Sequence, residues 1–524
     1  MIAYTNEWRP KANPWLITAA VMAATIMEVL DTSVANVALN HIAGNLSASV
    51  DDATWVLTSY LVSNAIIQPA TGWFGQYFSR RNFLIACICI FTLASALCGL
   101  ANSLGMLILA RIVQGAGGGA LQPISQAVLL ETFPPEKRGS AMSIYIMGVV
   151  VAPILGPTLG GWMTDNLSWR WVFYINVPIG ILSAVMCFLF LEDPPYLKNT
   201  KPGRIDYIGF GLLTLWIGCL QVMLDKGQDA DWFSSTLIRL LAIGAALGFI
   251  AFLFWELKTP KPIVNLRVLL DRNLAVGAVL IFIAGGIMNG TTAILPQFLQ
   301  NLMNYTALQA GLVISPRGLG AIAGTLLAGR LLSKLDGRAF MAQGAALLAL
   351  SMYWLGEINL FIAPGNLLWP IILSGFAVAA IFVTITTFSV ATVSREQMGD
   401  ATGLTSLLRN LGGSVGISLL TNLATRGSQA HQALMVGHLT AYATPFRNQL
   451  AGLQHYLAAQ GAGAVTAQHQ AYGLMYQLLQ QQASLWAYVD LFRLLALACA
   501  VLVPLVFFFK KGSQPLAKGA AMAH

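Results

Sequence analysis

Charge is what this sequence has least of. Asp, Glu, Lys and Arg make up 10% of 524 residues, against 56% apolar types, and the mean hydropathy is +0.68. A soluble domain carries about 25% charged residues, because it must cover its surface with solvated groups. A chain so poor in charge needs lipid around most of its surface, and no long polar stretch remains from which to build a soluble catalytic domain. The six cysteines (Cys87, Cys89, Cys98, Cys187, Cys219 and Cys499) all sit in apolar runs, with neither a disulfide framework nor a metal-ligand spacing. The six histidines (His41, His431, His438, His455, His469 and His524) fall outside those runs, which removes intramembrane histidine chemistry. No GxxxxGK[ST] loop, HExxH motif or acidic metal cluster occurs, so no cofactor is expected. Gly412-Gly-Ser414-Val-Gly416 fits a hydrolase elbow as a string, but it lies within an apolar run with no His near it in sequence. Gly115-Ala-Gly117-Gly-Gly-Ala120 fits a dinucleotide fingerprint only loosely, without the strand that should precede it. The net charge of +8 comes from basic residues scattered singly between apolar runs, which speaks against nucleic acid as a partner.

What the chain has is apolar runs. A bilayer core of ~30 Å takes roughly 20 apolar residues in a helix, which satisfies its own amides. By that measure the sequence predicts about fourteen spans, an all-α membrane fold. They begin near Trp15, Thr54, Asn82, Leu104, Ser140, Trp171, Asp206, Ser235, Leu274, Ala307, Ala339, Leu368, Thr402 and Trp486. The first run carries Glu28 and Asp31 and is followed by further spans, so it is not read as a cleavable signal. Most Lys and Arg fall on one side of this layout, including Arg80, Arg81, Lys137, Arg138, Arg267, Arg338 and Lys510. Arg170, Lys226, Arg239, Arg426 and Arg447 fall on the other. This bias predicts cytoplasmic termini and an even number of spans.

The sequence also repeats. Gly72-Trp-Phe-Gly-Gln-Tyr-Phe-Ser-Arg-Arg81 returns as Gly329-Arg-Leu-Leu-Ser-Lys-Leu-Asp-Gly-Arg338, and Phe133-Pro-Pro-Glu-Lys-Arg-Gly-Ser-Ala141 has a weaker echo in Val393-Ser-Arg-Glu-Gln-Met-Gly-Asp-Ala401. Both pairs lie on the basic side, so the halves are expected to be parallel repeats. The expected domains are a six-helix bundle over residues 1–200, a two-helix insert over 201–272 and a second six-helix bundle over 273–524. Within the last, residues 425–485 are rich in Ala and Gln, and leucines recur in them at helical spacing. They are expected to form a helical element outside the membrane on the far side.

Ionisable residues inside spans are costly and commonly functional. Glu28 and Asp31 share a helix face in the first span, and Arg111 sits in the fourth, which runs the opposite way. Counting from the outer ends places Asp31 and Arg111 at one depth, so they are expected to be able to pair. Arg317, Arg330 and Arg409 lie in later spans. Arg111, Gln114, Gly118, Gln122 and Ser125 form a polar stripe along span four, expected to face a water-filled cavity or a neighbouring helix. Span five holds Gly148, Pro153, Gly156, Pro157, Gly160 and Gly161, a combination that kinks a helix and lets backbones approach.

On these residues the chain resembles the major facilitator superfamily, and within it the fourteen-span drug:proton antiporter branch of EmrB-type multidrug exporters. Leu107-Ile-Leu-Ala-Arg111-Ile-Val-Gln114-Gly115-Ala-Gly117 resembles the family's span-four motif, and Gly148 to Gly161 its antiporter motif. Leu30-Asp31-Thr32-Ser-Val-Ala-Asn36-Val-Ala-Leu39 is similar to the branch's first-span motif, and Trp169-Arg-Trp-Val-Phe-Tyr-Ile-Asn176-Val-Pro178-Ile-Gly180 to its loop into span six. Gln76 and Ser79 depart from the family's loop after span two, Asn40 stands where the branch often has Pro, and Glu28 is an added carboxylate. The resemblance implies the major facilitator fold: two six-helix bundles around a central cavity, plus two extra helices. It implies no cofactor beyond protons as coupling ion. Asp31, Arg111 and Glu28 would serve proton coupling, Asn36, Gln114, Gln122 and Ser125 the substrate cavity, and Gly148 to Gly161 the conformational switch. Gly72, Arg80 and Arg81 would form a cytoplasmic gate loop. The implied setting is the bacterial inner membrane and its lipids, with a periplasmic membrane-fusion adaptor, an outer-membrane channel and small-molecule drugs as partners. A single-metabolite or siderophore exporter, or a non-transporting membrane sensor, is the alternative.

Overall fold

The computed structural model describes residues 10–193, 205–332, 336–394, 396–440 and 442–509, and among them there is helix and no strand. The first half begins with α1 (Pro14–Asn45), whose start is fixed by the Asn13 side chain accepting from the Trp15 amide, with Pro14 at the first helical position. After a short α2 (Val50–Ala53) come α3 (Trp55–Phe78) and α4 (Arg80–Leu100). Ser79 joins them in a left-handed backbone conformation (φ 71°) and caps α4 through its hydroxyl. Span four is two helices, α5 (Leu104–Gly118) and α6 (Leu121–Thr132), broken at Gly119 and Ala120. Then follow α7 (Pro135–Asn166), the single turn α8 (Trp171–Tyr174) and α9 (Asn176–Phe190). The central pair is α10 (Tyr207–Lys226) and α11 (Thr236–Lys258). The second half holds α12 (Arg272–Gln297), α13 (Ala307–Ile314), α14 (Pro316–Leu331), α15 (Gly337–Leu355), α16 (Pro364–Ser389), α17 (Met398–Val436), α18 (Thr444–Ala459) and α19 (Ala464–Leu505).

Among the described residues ten helical segments are long and apolar enough to cross a bilayer, or eleven if the bent α7 counts as one. α3, α15 and α17 miss that measure, and for α3 and α17 the packing gives a physical reason. Asn64, Gln68 and Thr71 on α3, and Arg409 on α17, are buried against other helices, where hydrogen bonds offset a polarity that hydropathy counts as hydrophilic. The central pair is the opposite case: only 28% and 22% of the most apolar stretches of α10 and α11 are buried, so this pair presents apolar side chains outward. Leu240, Leu247 and Phe254 are among them.

Within the first half, α1 packs on α7 and α9, and α5 on α3 and α4; within the second, α12 packs on α17 and α14 on α16. The halves meet along α3–α17 and α7–α14. The two sequence repeats touch each other there. The Gly72 Cα at the end of α3 lies 3.2 Å from where a side chain on Gly399 would begin, beside Asp400 at the start of α17. Gly329 in α14 meets Ser140 and Ser143 near the start of α7 in the corresponding way. A side chain at Gly72 would overlap the Asp400 carboxylate, so the contact requires glycine.

Residues 425–485, expected to form a helical element outside the membrane, are helical but are not one separate segment. α17 continues without a break to Val436, and α19 begins at Ala464. With 39 and 42 residues they reach about 58 and 63 Å at ~1.5 Å per residue, roughly twice the bilayer core. The two helices are tied by Ser428–Ser484 (3.0 Å) and His431–Asp490 (2.8 Å), with α18 lying on α19. Ala467, Ala471, Met475 and Leu479 form the buried seam of α19, while α18 buries no residue.

Candidate functional site

α1 brings Glu28 and Asp31 to the inside of the first half, one turn apart, where both are buried. Asp31 is saturated. Arg111 Nη1 of α5 donates to Oδ2 at 2.6 Å, and Gln114 Nε2 and Asn176 Nδ2 donate to Oδ1 at 2.9 and 2.6 Å. Arg111 is equally enclosed: Nε donates to the Val56 carbonyl (3.1 Å), Nη1 also to Gln114 Oε1 (2.9 Å), and the guanidinium lies 4.2 Å from the Tyr60 ring centre and 5.6 Å from that of Phe173. Both side chains of the ion pair are 0% exposed. Asn176 reaches the carboxylate because α8 breaks off one residue before it, making it the first residue of α9. There it also donates to Ser95 Oγ.

Glu28 has a second set of partners. Tyr60 Oη and Asn64 Nδ2 donate to Oε1 (3.3 and 3.0 Å), and Gln122 Nε2 donates to Oε2. The other end of the same Gln122 amide accepts from Arg409 Nη2 of α17. Tyr60 joins the two carboxylates, its ring beneath Arg111 and its hydroxyl on Glu28. A thread of buried polar groups therefore runs from Asp31 and Arg111 through Tyr60, Glu28 and Gln122 into the second half at Arg409.

The stripe on span four is divided among these contacts. Gln114 serves Asp31, Gln122 serves Glu28 and Arg409, and Ser125 donates to the Val21 carbonyl of α1 (3.2 Å). In this closed arrangement the three line helix contacts, where each amide or hydroxyl is already occupied, instead of an open cavity. Asn36 is exposed on α1, five residues beyond Asp31.

On α7 the glycines face α1. Side chains at Gly148, Gly156 and Gly160 would meet Met22 and Ile26, Ser33, and Val34 respectively, while Gly161 faces open space. Pro157 has no N–H, so the Pro153 carbonyl loses its helical donor, and Ser33 Oγ of α1 supplies one at 2.9 Å. The helix bends by 42° between its two halves here. Pro157 lies within α7, but its side chain is outside the described residues.

At the end where the repeats meet, Arg80 is buried in an ion pair with Glu131 of α6. The Arg81 amide donates to Asp193 Oδ1 (3.0 Å), and its guanidinium sits on Phe188, 5.0 Å from the ring centre. Asn265 donates to Asp400 Oδ2 at 3.3 Å. Gly72, Arg80 and Arg81 thus lie in one region, but each has its own partner. The sequence reading quotes Asn176 in a motif without a role, and gives none to Tyr60, Asn64, Glu131 or Asp400. Tyr60, Asn64, Gln68 and Thr71 recur at helical spacing, a polar stripe on α3 as legible as that on span four. No group of three or more His, Cys, Asp or Glu placed to hold a metal occurs among the described residues.

Known proteins can now be set beside this geometry. Residues 21–417 match the family model of the Major Facilitator Superfamily. The Multidrug export protein EmrB of Escherichia coli K12 is 37% identical over 94% of this chain and 95% of its own length. The Fatty acid resistance protein FarB of Neisseria gonorrhoeae is 36% identical over 94% of this chain and 96% of its own. In fold, the chain is similar to the crystal structure of the human organic anion transporter MFSD10, with a TM-score of 0.58 at 14% identity, covering 93% of this chain and all of that one. The family model spans most of the chain and the relatives nearly all of it, so the buried ion pair, the second carboxylate and the thread between the halves lie in a transporter and not in an enzyme: this chain belongs to the major facilitator superfamily.

Proposed function

We propose that this protein is a proton-coupled antiporter that exports lipophilic or amphipathic toxic compounds across the bacterial inner membrane. The names of its relatives support the compound class, and the thread from Asp31 to Arg409 carries the mechanism. Residues 1–200 and 273–524 act as the two bundles and 201–272 as the accessory pair. The chain crosses the membrane about fourteen times, once each by α1, α3, α4, α5–α6, α7, α8–α9, α10, α11, α12, α13–α14, α15, α16, α17 and α19, with cytoplasmic termini.

In the closed arrangement Gln122 holds Glu28 with one end of its amide while Arg409 of the other half holds the opposite end. Parting the halves withdraws Arg409 and loosens Gln122, so Glu28 becomes open to a proton or a cationic compound. Asp31 and Arg111 remain within the first half and set the charge balance beneath it. Proton and substrate then compete for one acidic cluster, and competition with alternating exposure gives exchange. No cofactor is needed; the proton is the coupling ion. The test is substrate-stimulated proton movement in proteoliposomes across a panel of compounds. Compound flux without proton movement would remove the antiport reading.

The projecting helices serve the partners. They expose Leu434, Tyr442, Tyr456 and Tyr476, a set of large apolar groups suited to docking a periplasmic adaptor that leads to an outer-membrane channel. Single cysteines replacing Gln454 and the exposed Gln470 should label with an impermeant thiol reagent in intact spheroplasts. Labelling only after permeabilisation would invert the topology. Replacing residues 437–463 by a short linker should reduce adaptor co-purification and leave compound binding unchanged; undiminished co-purification would remove the docking role.

A further inference from the structure

Toward the end of the molecule opposite the Gly72–Asp400 contact, a cavity of about 250 Å³ opens between α3, α10 and α17. Its three walls come from the three parts of the protein: the first half, the accessory pair and the second half. Leu61, Leu224 and Ile417 give it apolar sides. Asp225 and Asp229 stand on the α10 side with no Lys, Arg or His among the lining residues. Asp225 is exposed, and its carboxylate accepts from Thr58 Oγ1. Lys226, the nearest cation in sequence, donates to Thr54 Oγ1, lies 5.6 Å from the Trp55 ring centre and acts on Asp225 through space. Gln221 is the informative side chain. It is 5% exposed and lines the cavity, and among the described residues no hydrogen bond engages its amide. Its amide is therefore free to meet an occupant or water.

We propose that this cavity is a binding site for a monovalent organic cation with an apolar body, the charge at Asp225, the body against Leu61 and Ile417, and any polar substituent on Gln221. A calcium or magnesium ion gathers six or more oxygens and has no use for apolar surface, whereas Leu61, Val62, Leu224 and Ile417 line this cavity beside its carboxylates, hydroxyls and amides. An anion would meet two like charges. α3 and α17, which form two of the walls, are also the helices whose opposite ends close on each other at Gly72 and Asp400. An occupant therefore sits where movement of the halves changes the site. That the cation is an export substrate rests on the proposed function above; the site itself does not.

The experiment is equilibrium dialysis of radiolabelled benzyltrimethylammonium against the purified full chain in detergent. Saturable binding is expected, and the neutral isostere neopentylbenzene should not compete. Asp225→Asn should weaken binding roughly tenfold, the scale of one lost charge-assisted contact. Gln221→Leu tests the polar wall by a smaller loss. Val62→Trp fills the cavity without touching charge and should abolish binding, which keeps the test decisive if Asp225→Asn folds poorly. Wild-type affinity in a folded Asp225→Asn or Val62→Trp chain would overturn the site. Loss of binding in Glu28→Gln together with wild-type affinity in Val62→Trp would move the cation to the central cluster, overturning this site but not the export reading. Binding that depends on Asp225, with no efflux of any compound from proteoliposomes, would keep the site and remove the export reading.

Discussion

Asp31→Asn is expected to abolish proton-driven uphill export while leaving compound binding measurable. In the wild-type chain the carboxylate takes three donors, from Arg111, Gln114 and Asn176, with no exposed surface. Asparagine keeps the volume but removes the charge and turns one acceptor into a donor facing other donors. Arg111 is then a buried cation without its counter-ion, and breaking such a pair costs about 3–5 kcal/mol. A loss of coupling could then be only a loss of stability. The double variant Asp31→Asn/Arg111→Gln separates the two. Removing both charges should recover most of the thermal stability, since a neutral replacement avoids the unpaired cation, yet coupling should stay absent because no carboxylate remains. Glu28→Gln should lower coupling less, because its amide can still accept from Tyr60 or Asn64. The readout is compound-stimulated proton flux at matched protein density, beside a melting temperature in detergent. Wild-type coupling in Asp31→Asn, or its return in the double variant, would make the ion pair structural and send the proton elsewhere.

The depth of Asp31 and Arg111 could be read from sequence because a helix advances by a fixed rise, so residue counts from the membrane edge become heights. Height says nothing about azimuth, which packing decides. That is why Asn176, although part of a quoted motif, was not linked to Asp31: it sits where α8 ends at Tyr174 and α9 begins on Asn176, a break no periodicity announces. Arg409 stood out as a charge within a span, but its partner Gln122 lies in the other half, and no local pattern links residues so far apart. The repeats were the exception among long-range features. They identified both segments that close the interface, although not that they close on each other. α17 and α19 show a related limit: hydropathy marks where lipid-like sequence stops, whereas both stay helical past that point because their Ala- and Gln-rich continuation also favours helix. The cavity beside Asp225 left no sequence signal, since its walls are single residues from three distant segments.

Gly156→Leu should produce an inserted, correctly sized protein that does not export. Gly156 lies where α7 crosses α1, and a side chain there would overlap that of Ser33 and reach its backbone carbonyl carbon at 3.1 Å. Ser33 cannot simply rotate away, because its hydroxyl supplies the donor that the Pro153 carbonyl lacks. The helices must therefore separate, and that separation takes away the hydrogen bond at the bend. Overpacking of this kind costs about 1–3 kcal/mol, too little to prevent insertion of a span this apolar. The far side of α7 packs on α14 of the second half, so a displacement at Gly156 is passed straight to the interface at which the halves must part and close. Gly161, five residues on, is a matched control, since a side chain there meets nothing within 4 Å. Gly161→Ala should therefore export at the wild-type rate, while Gly156→Ala, with the same added methyl, should already be impaired. The measurement is efflux of a fluorescent compound from cells, normalised to membrane-inserted protein. Equal efflux from the two alanine variants would show that the α1–α7 seam only packs and takes no part in the movement.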